Sequence, residues 1–164
     1  MMIRPMKETD LEDVMELYAG ARAFMKRIGN GTQWKDSWPP REVIEEDLEK
    51  QRIHVLEEDG TILAVFMYVY GDHAEHDYDV MVSGEWLLDG PYGVVHRIAA
   101  REGSHAGREC LRWAIRESDG HLRIDTHKNN AAMIHTLRTL GFTECGIIRL
   151  SNGEDRIAFE IISA

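Results

Sequence analysis

Residues 91–126 constrain this chain more than any other stretch. They read in turn as a strand (91–100), a short polar loop, a helix (106–118) and a second strand (122–126). Such a βαβ unit requires a sheet with at least one helix packed on it. It also sets the backbone N–H groups of residues 103–107 at a helix N-terminus, where free amides and the helix dipole attract anions. Two readings stand here: a plain strand-to-helix turn, and a phosphate site. The loop is neither a Walker P-loop, for it lacks Gly-Lys-Ser/Thr, nor a GxGxxG fingerprint. Arg97, Arg101, Arg108, Arg112 and Arg116 lie near it in sequence, a density of cations unusual for this chain. Arg108, Arg112 and Arg116 equally fit a solvated helix face at i, i+4 spacing.

The flanking segments extend the same architecture. Residues 3–6 read as a short edge strand, where Pro5 is tolerable. Thr9 followed by Glu12 is a capping-box pattern. Leu11, Val14, Met15 and Tyr18 then form one helical stripe, and Ala21, Phe24, Met25 and Ile28 a second, stopped by Gly29 and Gly31. Pro40 can open a third helix that carries Ile44 and Leu48 inward. Residues 53–56 and 62–70 flank Asp59-Gly60, a hairpin signal, and 142–150 and 155–162 flank Asn152-Gly153, another. A helix over 130–140 ends at Gly141. The order β-α-α-α-β-β-β-α-β-α-β-β implies an α/β (α+β) fold. Its sheet is expected to be mixed, mostly antiparallel and of about seven strands, with helices on both faces, in a single domain over residues 1–164. Residues 71–90 show no regular pattern.

Composition narrows the function classes. Of 164 residues, 43% are hydrophobic and 29% charged, which excludes extensive disorder. No apolar run approaches the roughly 18 residues of a membrane span, and the N-terminus lacks a signal-peptide h-region. Two cysteines, Cys110 and Cys145, among apolar neighbours suit buried thiols in a reducing cytoplasm. A net charge of −10 argues against nucleic acid and favours a cationic partner such as an amine. Asp72, His73, Glu75, His76, Asp77 and Asp79 have metal-ligand types. No second shell is evident to fix them, so a solvated loop and no metal is the expectation.

Taken with the element order, Val95-His96-Arg97-Ile98-Ala99-Ala100, the loop 103–107, Ile124-Asp125-Thr126-His127-Lys128-Asn129-Asn130 and Leu140-Gly141-Phe142 resemble the GNAT superfamily of N-acetyltransferases. The resemblance spans residues 3–162 and is closest to bacterial members of unassigned substrate. The family signature at this turn is Gln/Arg-x-x-Gly-x-Gly/Ala. Here it reads Glu102-Gly103-Ser104-His105-Ala106-Gly107, acidic at the first position, with His105 for the first glycine and Gly107 at the final small position.

The resemblance implies a GNAT-like acyl-CoA N-acyltransferase fold and acetyl-CoA as co-substrate. Its pyrophosphate would lie on Gly103, Ser104, His105, Ala106, Gly107 and Arg108. Its pantetheine arm would follow the backbone of Ile98, Ala99 and Ala100 in a cleft beside the 122–126 strand. Asn130 and Met133 on the last helix would add contacts, with an N-cap the competing role for Asn130 and Asn129 a rival cap. The family's tyrosine acid falls at Leu137, and His135 is nearly opposite on the helix. A thiol of pKa ~8.5 still leaves tolerably as thiolate.

An acceptor amine of pKa ~10.4 must lose a proton to attack. His96, two residues before Ile98, is the leading base, and a hydrogen-bonded core histidine is its other reading. Glu85, before Trp86, is the carboxylate alternative. Trp34 and Trp38 either cap the core or line a pocket, and the resemblance sets Trp34 and Trp86 beside the acceptor. The expected activity is acetyl transfer to a primary amine, in the cytoplasm, with no nucleic-acid or membrane partner and a homodimer open to it. A catalytically silent acyl-CoA-binding or regulatory module is the alternative.

Overall fold

Among the described residues, 1–35 and 37–163 of this computed structural model, the chain forms five α-helices and eight strands. The strands are β1 (Met2–Pro5), β2 (Ile53–Glu58), β3 (Thr61–Gly71), β4 (Met81–Gly84), β5 (Tyr92–Ala100), β6 (His121–Thr126), β7 (Thr143–Arg149) and β8 (Asp155–Ile162). The helices are α1 (Leu11–Arg27), α2 (Gly31–Trp34), α3 (Arg41–Glu49), α4 (Ala106–Glu117) and α5 (Ala131–Leu140). The hydrogen-bonded order is β1-β2-β3-β5-β6-β8-β7-β4, one strand more than expected. The backbone groups into two units: Met1–Tyr68 with Val95–Trp113, and Val69–Val94 with Ala114–Ala164.

In the first unit, β1 and β3 pair antiparallel with β2. Asp59 and Gly60 both take positive φ (51° and 79°), the geometry a two-residue turn between such strands needs. The two stripes expected as separate helices belong to one helix, α1, which runs through Gly20 between them, since a single interior glycine costs a helix only about 1 kcal/mol. Val14, Leu17, Tyr18 and Met25 are its buried residues, and they join Trp34, Ile44, Ile53, Val55, Val65 and Ala99 in one core. The helix cap also differs from expectation. A 3-10 turn, Glu8–Asp10, precedes α1; the Asp10 carboxylate accepts from the Lys7 N–H at 2.8 Å, and Thr9 lies inside the turn instead of capping the helix.

In the second unit, β5 pairs parallel with β6 at Gly93↔Leu122 and Val94↔Arg123, and β8 pairs antiparallel with β6 and β7. The core here is Tyr78, Tyr92, Val94, Ile148 and Ala158. The added strand, β4, lies in residues 71–90, which carried no periodic signal. It pairs antiparallel with β7, with Gly84 opposite Gly146. Both take positive φ (76° and 150°), and a Cβ on either would overlap the backbone of the opposite strand. The acidic stretch before it is also more ordered than a solvated loop. Tyr78 is fully buried there, and Asp77 accepts from the Ser151 N–H and hydroxyl. No described helix is long and apolar enough to cross a membrane.

Candidate active site

The strand-to-helix turn has the expected layout. β5 ends at Ala100, residues 101–105 turn, and α4 starts at Ala106. The Ser104 N–H and hydroxyl both donate to the Arg101 carbonyl (3.1 and 2.6 Å), and the Ser104 oxygen accepts from the Ala106 N–H at 3.2 Å. Gly103 and His105 are left-handed, with φ of 78° and 59°. His105 thus holds, at the cost a Cβ carries in that region, a conformation ordinarily left to glycine. Gly107 faces β5: a Cβ there would sit 3.8 Å from the Ala100 Cβ and 4.0 Å from the Ile98 Cδ1.

The charges around this turn are arranged differently from the sequence expectation. Arg97 is tied to Asp47, Arg101 donates to the Ile62 carbonyl at 3.2 Å, and Arg112 pairs with Glu109. The Arg97 guanidinium is held in the interior, whereas Arg101 and Arg112 stay at the surface, each with a partner of its own. Arg108 is half-buried on α4 and Arg116 exposed. Glu102, the acidic substitute in the signature, pairs with Arg27 at 2.7 Å, which offsets its charge beside the loop.

β5 contains an irregularity that the sequence did not reveal. Arg97 has φ 52°, and among the described residues it is the only non-glycine with positive φ inside a strand. Its carbonyl accepts from the Tyr18 hydroxyl at 2.7 Å, and its guanidinium makes two bonds to the fully buried Asp47 (2.9 and 3.0 Å). Arg52 donates to the same carboxylate at 2.6 Å. Burial pushes the Tyr18 phenol well above its ordinary pKa, so it acts as a donor at any physiological pH. His96 precedes this residue and is half-buried, and Ile98 follows it.

The remaining expected residues divide between packing and exposure. Trp34 is 7% exposed and meets Tyr18 edge-to-face at 5.7 Å, within the core of the first unit. Trp38 is the exposed indole, at 42%. Asn130 caps α5 by accepting from the Met133 N–H at 3.2 Å, which settles the choice of cap against Asn129. Leu137 is fully buried.

Glu85 is exposed, with its N–H on the Cys145 carbonyl at 3.2 Å. Trp86 donates to the Tyr78 carbonyl at 2.8 Å and stacks on the Arg123 guanidinium at 4.3 Å. Its N–H and one face are therefore engaged. Arg123 joins His121 and Glu160 in a buried ionic group, and the Tyr78 hydroxyl donates to Asp125. The visible signal for the ionic group was Glu160 itself, a carboxylate between Phe159 and Ile161 in an apolar strand. No set of three or more His, Cys, Asp or Glu among the described residues could hold a metal ion.

A crystal structure of an acetyltransferase of the GNAT family from Streptococcus agalactiae matches this chain with a TM-score of 0.88 at 30% identity, covering 99% of this chain and 95% of that one. The chain belongs to the GNAT family of acetyltransferases. More distant GNAT-fold neighbours include the ribosomal-protein-alanine N-acetyltransferase of Brucella melitensis (TM-score 0.66, 20% identity, 99% and 100% of the two chains). The ribosomal-protein-S18-alanine N-acetyltransferase of Escherichia coli is comparable (0.63, 21%, 99% and 94%). At such identities they speak for the fold alone. No family model and no curated protein matches the sequence. As a GNAT member the protein is an acyl-CoA-dependent acyltransferase.

Proposed function

We propose that the protein moves an acetyl group from acetyl-CoA to a primary amine by direct attack of the amine on the thioester. The turn from β5 into α4 carries this reading. Its left-handed Gly103 and His105, and Gly107 packed beside Ala100, set backbone amides at the start of a 12-residue helix. The amides of Gly103, His105 and Gly107, with Arg108, would hold the pyrophosphate, while those of Ser104 and Ala106 shape the turn through their bonds to the Arg101 carbonyl and the Ser104 hydroxyl. The helix dipole adds about 0.3–1 kcal/mol and each charge-assisted N–H···O bond about 1.5–3 kcal/mol. The backbone of Ile98, Ala99 and Ala100 would hold the pantetheine arm. An N–H of this strand would meet the charge that develops on the thioester oxygen, where a fixed donor contributes most.

His96 is the proposed base, taking a proton from the acceptor ammonium before or during attack, and Glu85 is the alternative. No acid is needed on α5, since the departing thiolate is stable enough to leave unprotonated. The net charge of −10 supports a cationic acceptor.

The test combines a thermal shift with acetyl-CoA and thiol release with a panel of amines: polyamines, amino acids and peptides with free N-termini. Stabilisation together with amine-dependent thiol release is the expected result. Stabilisation without release from any amine would favour the silent binding module. No stabilisation would remove the cofactor assignment.

A further inference from the structure

A residue with a Cβ in the left-handed region returns to ordinary strand geometry unless its surroundings hold it. Arg97 is held from two sides. Tyr18, on α1, reaches its carbonyl at 2.7 Å, and Asp47, on α3, grips its guanidinium through both carboxylate oxygens. Both partners are fully buried, and Asp47 is itself steadied by Arg52. Neither contact touches residues 103–108, so neither is explained by binding of the pyrophosphate. Each ends on the one residue that separates His96 from Ile98.

We propose that Tyr18 and Asp47 are positioning residues for acyl transfer. They clamp Arg97 in its left-handed conformation and so fix the direction in which the Ile98 backbone meets the thioester. This inference rests on the acyl-transfer reading above. Two packed helices, rather than the strand's own ladder, then determine the alignment of the reacting carbonyl. Tyr18 keeps its proton, and Asp47 is occupied by Arg97 and Arg52, so the role assigned to both is positioning.

The discriminating variant is Tyr18→Phe, which keeps the ring in its core site against Trp34 and removes only the hydroxyl. The expected result is a kcat lower by roughly tenfold to a hundredfold, as small misalignments of a reacting group produce. The KM for acyl-CoA should change far less than kcat, because the turn and Arg108 proposed to hold the pyrophosphate lie outside the clamp, although the Ile98 backbone also serves the pantetheine arm. The second variant adds Arg97→Gly to Tyr18→Phe. Glycine adopts φ near 52° unaided, so most of the lost rate should return.

A normal kcat in folded Tyr18→Phe overturns the inference and leaves acyl transfer standing. So does a slow Tyr18→Phe that Arg97→Gly does not restore, for the hydroxyl would then act by another route. If the wild-type protein transfers no acyl group to any amine, both the function and the inference fall, and that failure is seen before any variant is made.

Discussion

Glu160 and His121 meet at 2.6 Å, a carboxylate oxygen of β8 against Nε2 of β6, and the Arg123 Nε donates to the same oxygen at 2.9 Å. The other Glu160 oxygen accepts from the Leu87 N–H, while His121 Nδ1 lies 2.8 Å from the Pro91 carbonyl and Arg123 reaches that of Leu88 at 2.7 Å. One buried carboxylate therefore ties two strands to residues 87–91. Glu160→Gln keeps the shape and leaves the buried Arg123 guanidinium without its counter-charge, which should cost about 3–5 kcal/mol. Urea unfolding should show a lower midpoint at an unchanged m-value. A loss under about 1 kcal/mol would mean that the group is not held as described.

Acid should weaken the first unit through Asp10. The Arg4 guanidinium (2.8 Å) holds the Asp10 carboxyl below the usual carboxylate range, assisted by the Lys7 N–H and opposed by burial. A carboxyl with a depressed folded pKa stabilises above its unfolded pKa, about 3.9, and that contribution is lost as pH falls through the folded value. Asp10→Asn should cost about 1.5–3 kcal/mol at neutral pH. The gap from wild type should narrow below pH ~4. A gap that stays constant down to pH 2 would rule out the linkage.

Neither thiol should react in the native state at neutral pH. Burial, with Glu109 next, pushes Cys110 up to about 12, and burial, with Glu160 next, pushes Cys145 up to about 11. The thiolate is the reactive form. Labelling with a chromogenic disulfide should therefore be slow until denaturant is added. Rapid stoichiometric labelling of folded protein would contradict the described surroundings of Cys145, the less buried of the two.

Acetyl-CoA should stabilise the protein by about 2.7 kcal/mol at 100 times its Kd. Gly107→Glu should abolish this while the fold survives. A side chain at this position meets only ordinary contacts with Ala100 and Ile98, and an acidic residue in the first turn of a helix is favoured by the dipole. A variant that responds to the ligand like wild type would move the phosphate site elsewhere.

His96→Gln should lower the transfer rate by about 10²–10⁴-fold, the usual contribution of a positioned base. It should also flatten the rise of rate with pH. An unchanged pH–rate profile would leave His96 as a structural residue of β5 and make Glu85→Gln the next variant.

The sequence carried the parts of the fold that depend on local periodicity. The hairpins at Asp59-Gly60 and Asn152-Gly153, the C-terminal stop at Gly141 and the strand–turn–helix of β5 and α4 all rest on turn chemistry or hydrophobic spacing. Contacts between residues distant in the chain were not legible. Tyr18 read as one more apolar residue on a helical stripe, and nothing in its neighbours indicated that its hydroxyl meets the Arg97 carbonyl 79 positions away. Asp47 stands among Glu42, Glu45, Glu46 and Glu49, and nothing local sets it apart from them. Trp34 was ambiguous for the same reason: a loop tryptophan must cover something, and only the tertiary structure names Tyr18. Strand β4 escaped because its pairing depends on what its residues lack.

The pairing of Gly84 with Gly146 gives that last strand an address. Two backbones come within a distance that any Cβ would forbid, and only glycine against glycine can occupy it. A slide of the strand in either direction would bring a side chain into that narrow place, so misaligned versions of the edge are rejected by collision. Val80 and Val82, apolar and exposed beside it, offer little preference for one alignment over another. The information that seats this edge is written in two missing methyl groups, and a change at either position would scramble it even though no contact is removed.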